Sequence, residues 1–107
     1  MSEPITVQLD AVAALADELS LLAAQLAEEP PLCRVAAASL RTALGDGVGE
    51  AAAATAIAWG DLAEVLAEEC AATARTLTGA VAAYRAADEA LARALLPGTI
   101  GGIPVPR

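Results

Sequence analysis

Few residues in this chain could do chemistry. There is no histidine, and its two cysteines, Cys33 and Cys70, are far apart in the sequence. The usual nucleophile–base pairs and zinc sites therefore cannot be assembled. The paired acids Glu28-Glu29 and Glu68-Glu69 have the right groups for acid–base work, but on a helix face such pairs are ordinarily solvated charge. "GDGVG" (45–49) lacks the spacing and the lysine of a phosphate-binding loop. No catalytic residue, metal site or cofactor is expected. One pair stands apart. Tyr84, the only tyrosine, is followed four residues later by Asp88, and this spacing sets two side chains on one helix face. Either Tyr84 closes a seam against Leu9 or Val12 while Asp88 faces water, or the two form a surface that a receptor reads.

The elements that position these residues must be helices. Hydrophobic residues make up 57% of the chain, with no Phe, one Trp and one Tyr. Most are alanine, which has the best helix propensity and buries the least area. Alternating β-branched and polar runs are nearly absent, so the fold is expected to be all-α. Six basic residues against fourteen acidic ones give a net charge of −8. Nucleic acid and anionic membranes select a basic face, so neither is an expected partner. No apolar run approaches the ~20 residues of a membrane span, and "MSEPITVQLD" does not read as a signal peptide.

The first helix is expected to open near Gln8 and to run, broken at Pro30-Pro31, to about Leu44. Val12, Leu15, Leu19, Leu22 and Leu26 recur at alternating intervals of three and four, a heptad seam. "GDGVG" is the expected turn, since each glycine inside a helix costs ~1 kcal/mol relative to alanine. A second helix then covers about 50–96, with Leu66, Cys70, Thr73, Leu77, Ala80 and Tyr84 in near-heptad spacing. The two arms, roughly 55 and 70 Å at ~1.5 Å per residue, are expected to pair as an antiparallel hairpin over residues 1–96. Residues 97–107, rich in Pro and Gly, are expected to form a flexible tail.

With the turn near Val48, Cys33 should face residue 62 or 63. That leaves Cys70 roughly 10 Å along the axis, beyond disulfide reach. Two small buried thiols are the simpler expectation, and an intermolecular bridge is the other. Trp59 is expected to pack against Leu32 or Val35; its alternative role is to anchor a partner helix. Asp61 and Glu64 resemble a capping box, so a break at Gly60 is a further option.

Taken together, the chain resembles the EspC-like family of type VII (ESX) secretion substrates of mycobacteria and related actinobacteria, distant relatives of the WXG-type helical hairpins. "ITVQLDAVAALA" (5–16) is similar to the family's N-terminal segment, a short extended piece leading into the first helix. The glycine turn lies at a similar distance from it. "AVAAYRAADEALARAL" (80–95) is similar to the family's end, where Tyr84 and Asp88 meet its Y-x-x-x-[DE] motif. Trp59-Gly60 is not a true W-x-G, so only Tyr84 and Asp88 carry over.

The resemblance, which spans about residues 5–96, implies a non-enzymatic protein. It would leave the cytoplasm folded, in complex with a partner, through a membrane complex with an FtsK-type ATPase, and reach the envelope or the medium. Two thin Ala/Leu helices leave apolar surface uncovered, so a four-helix bundle formed by homo- or heterodimerisation is expected. Its candidate interface residues are Val12, Leu15, Leu19, Leu22, Leu26, Trp59, Leu66 and Leu77. Two other roles stay open. One is a cytosolic targeting partner or chaperone of a larger effector, and the other a self-assembling coiled-coil protein of the envelope.

Overall fold

The computed structural model describes residues 2–95, with side chains described from Ile5 onward. It contains α1 (Ser2–Leu26), α2 (Glu29–Ala43) and α3 (Asp46–Ala94), and no strand occurs among the described residues. α1 and α2 together form one arm of an antiparallel hairpin, and α3 is the other. At ~1.5 Å per residue the 49 residues of α3 span about 73 Å. The expected tail, 97–107, lies outside the described residues.

α1 starts earlier than expected, at Ser2 and not near Gln8. Proline is tolerated in a first helical turn, so Pro4 does not delay the start, and the segment "ITVQ" is helical where an extended piece was expected. The break in this arm also moves. It falls at Ala27-Glu28, and both prolines sit in the first turn of α2. There the amide each proline lacks would have had no helical partner.

The seam runs through this break without losing phase. Leu9, Val12, Ala16, Leu19, Ala23, Leu26, Pro30, Cys33, Ala37 and Leu40 keep intervals of three and four, and all are buried or half-buried. The expected seam followed Leu15 and Leu22, whereas Ala16 and Ala23 occupy it and the two leucines are exposed. In α3 the matching seam is Gly49, Ala53, Ala56, Gly60, Ala63, Ala67, Cys70, Ala74, Leu77 and Val81. Thr73 and Ala80 therefore flank the seam and do not form it.

The core is thus made of small residues, and among the described residues none of the larger side chains is fully buried. Small contact residues let two helices approach closely, because the distance between axes is set by the side chains between them. The cost is little buried apolar area per turn. α3 does not break at Gly60. A side chain there would meet Cys33 and Pro30, so the glycine marks a closest approach of α2 and α3.

The turn is shorter than "GDGVG". Leu44 is extended and donates its N–H to the Leu40 carbonyl at 2.9 Å, Gly45 is the N-cap of α3, and Asp46 already begins the helix. Asp46 has φ 58°, in the left-handed region that Asp enters more readily than most residues. Gly47 and Gly49 belong to the first turn of α3. Of the glycines here only Gly49 is sterically required: a Cβ on it would meet the Leu44 carbonyl oxygen.

Candidate interaction surface

Tyr84, Asp88 and Leu91 continue the α3 seam at intervals of three, four and three beyond Val81, yet they lie at the surface. Tyr84 is 65% exposed. Val81 is the last residue of the seam to be buried, and beyond it no described residue of α1 covers the ring. Tyr84 instead borders a shallow groove of about 240 Å³ with Ile5 and Leu9 of α1 and Ala87, Asp88 and Leu91 of α3. Leu9 is thus its neighbour, as expected, without covering it.

Beside the groove, Arg85 donates a hydrogen bond to Asp10 and ties α3 to α1. Further along, Arg93 reaches Glu89 at 3.9 Å. Asp88 is exposed and makes no hydrogen bond or ion pair with a described residue. The pair is therefore brought together: an aromatic ring and a carboxylate unpaired among the described residues, on adjacent turns at the end of the hairpin away from its turn.

The second surface lies along the hairpin's middle. Residues one position before a seam residue include Leu15, Leu22, Leu32, Trp59, Leu62 and Leu66, all exposed. Residues one position after include Asp10, Asp17, Arg34, Arg41, Glu50, Asp61, Glu64, Glu68, Arg75, Arg85 and Glu89. The hairpin is therefore amphipathic as a unit, with one apolar flank and one charged flank. The charged flank carries the ion pairs Arg41–Glu50, at 3.2 Å, and Arg85–Asp10. The apolar flank holds a groove of about 400 Å³ bordered by Leu26, Cys33, Trp59, Leu62 and Leu66, with Glu29 at its rim.

Trp59 is not buried against Leu32 or Val35. It is 64% exposed, and both of those residues are exposed too. The reason is phase: Gly60 takes the contact position, so its neighbour must point to the flank. The interface candidates divide accordingly. Leu15, Leu22, Trp59 and Leu66 lie on the open flank, whereas Val12, Leu19, Leu26 and Leu77 are half-buried between the arms. The signal that identifies the flank is the heptad of alanines and glycines, with the larger residues offset from it by one.

The remaining chemical groups stay apart. Cys33 and Cys70 are free and half-buried in the seam. Cys33 faces Gly60, so Cys70 lies about 15 Å further along α3. The acids Glu28, Glu29, Glu68 and Glu69 are exposed. Among the described residues no cluster of His, Cys, Asp and Glu could hold a metal ion, and no helix is long and apolar enough to cross a membrane. Compared with known proteins, the chain matches no family model, no curated protein and no solved structure.

Proposed function

We propose that this chain is a non-enzymatic helical hairpin acting through protein–protein contact as a type VII (ESX) secretion substrate or co-secreted partner. Tyr84 and Asp88 are its export signal. The observation that carries this reading is the exposure of both residues on adjacent turns of α3, beside an apolar groove, with the Asp88 carboxylate unpaired among the described residues. A receptor can take a ring into an apolar pocket and an acid onto a cationic group without unfolding the hairpin, a mode common for helical epitopes. The receptor implied by the family resemblance is the FtsK-type ATPase of the secretion complex. The protein is then cytoplasmic before export and reaches the envelope or medium afterwards.

The apolar flank supports the second half of the reading, transport with a helical-hairpin partner as a homo- or heterodimer. A contiguous apolar face on a small protein marks a contact surface more often than a solvent face. Four helices would cover what two leave open. An envelope coiled coil in which Tyr84 is only core packing finds less support, because the ring continues the seam's spacing yet is 65% exposed in the hairpin.

The reading is tested by expressing the chain in an actinobacterial host with an active ESX system and in the same host lacking the system's ATPase. Appearance in the culture filtrate or envelope fraction only where the ATPase is present supports it. Equal release from both hosts removes it.

A further inference from the structure

We infer that the apolar flank is built for a helix of a different protein, one whose apolar stripe is bordered by Lys and Arg, and not for a second copy of this chain. The spacing argues for a helix. Leu15 and Leu22 on one arm, and Trp59 and Leu66 on the other, each recur after seven residues. Within each row the side chains stand about 10.5 Å apart along the axis, the repeat that a helix with its own heptad stripe presents. The groove between Trp59 and Cys33, about 400 Å³, interrupts the rows and would receive one large side chain.

Charge selects the partner. Every charged residue in the positions of this flank is an acid: Glu18, Glu29 and Glu69, each one position before a seam residue. None makes a hydrogen bond or ion pair with a described residue. Arg34, Arg41, Arg75 and Arg85 all stand one position after a seam residue, on the opposite flank. A second copy docked flank to flank would therefore contribute only carboxylates, and no arginine, from these positions on either side, in a chain already at net charge −8. Like charges juxtaposed across an interface select against that pairing, and complementary ones favour the other. The same acids disfavour an anionic lipid surface.

This inference rests on the reading of the chain as a partner-binding hairpin, and not on its export. Its test uses two synthetic amphipathic helical peptides without tryptophan. They share one Leu/Ala heptad stripe, and one carries Lys and Arg beside the stripe where the other carries Glu. Trp59, the only tryptophan, reports binding by its fluorescence. The basic-flanked peptide is expected to shift Trp59 emission to the blue and to bind about tenfold tighter or more, about 1.4 kcal/mol. This preference should shrink at ~0.5 M salt.

Replacing Glu18, Glu29 and Glu69 together by Gln should remove the preference, while Glu64→Gln with Glu68→Gln on the charged flank should leave it. Equal binding of the two peptides, or equal loss from both sets of variants, overturns the inference. So does a stable dimer of the chain alone in sedimentation, with Trp59 shielded from quenchers. Asp88→Ala should bind the peptide normally, so a failure of the export reading and a failure of this one are told apart.

Discussion

Gly60 of α3 lies directly against Cys33 of α2: a Cβ built on the glycine would stand 3.0 Å from that of Cys33 and 3.3 Å from the Cα of Pro30. The two arms touch here almost backbone to backbone. A large side chain at this position has to push the arms apart. Gly60→Leu is therefore expected to destabilise the hairpin by about 1–3 kcal/mol, the usual range for overpacking, despite leucine's better helix propensity. Gly79, where a Cβ would have nothing within 4 Å of it, is the control. Gly79→Ala should stabilise by roughly 0.5–1 kcal/mol. Urea unfolding followed by circular dichroism measures both, and equal effects would mean that Gly60 has no packing role.

The turn offers a similar contrast. A Cβ on Gly49 would meet the Leu44 carbonyl oxygen, whereas one on Gly47 would meet nothing within 4 Å. Gly49→Ala is expected to lower the melting temperature, with a cost of about 1 kcal/mol or more even after the helix-propensity gain. Gly47→Ala should leave it unchanged or raise it. Thermal unfolding of the two variants side by side decides the matter.

Much of the fold was legible in the sequence, and the reason is local. Alanine-rich heptads, an unmistakable glycine cluster and two prolines determine turn and break to within a few residues, while the start of α1 was missed by about two turns. The pairing phase was harder to read. Leu15 and Leu22 give as regular a heptad as Ala16 and Ala23, and size argues for leucine in a seam. Only the three-dimensional fit of Gly60 and Gly49, which admit a backbone but no side chain, favours the small residues. The same one-position offset moved Trp59 from an expected core position to the surface. Tyr84 and Asp88 were recognisable from their spacing, but their exposure was not, because it depends on where the buried part of the seam ends, at Val81.

The exposure of Trp59 has a direct consequence. Trp59 is mostly exposed and touches only the rim of the apolar groove, so Trp59→Ala should change the unfolding free energy of the isolated chain by no more than ~1–2 kcal/mol, below the ~3–5 of a core tryptophan. Its indole should be readily quenched by a soluble quencher. A loss of several kcal/mol on truncation, or a shielded indole, would place Trp59 in a core and contradict the geometry of the apolar flank.

The ion pair between Arg85 and Asp10 joins the arms close to Tyr84, with both side chains half or more exposed. Pairs of this kind contribute about 0–1 kcal/mol and are screened by salt. Asp10→Asn should therefore cost less than ~1 kcal/mol at low salt and nothing measurable at high salt. A larger, salt-independent loss would mean that this contact holds the end of the hairpin closed.

The most direct measurement is export of wild type against Asp88→Ala from an actinobacterial host with an active ESX system, with circular dichroism on both proteins. Asp88 is exposed and without a partner among the described residues, so its loss should leave helicity and melting temperature unchanged. The variant is expected to stay inside the cell while the wild type leaves it. Equal amounts of the two proteins outside the cell, with the fold intact, would contradict the assignment of Tyr84 and Asp88 as the signal that the secretion complex reads.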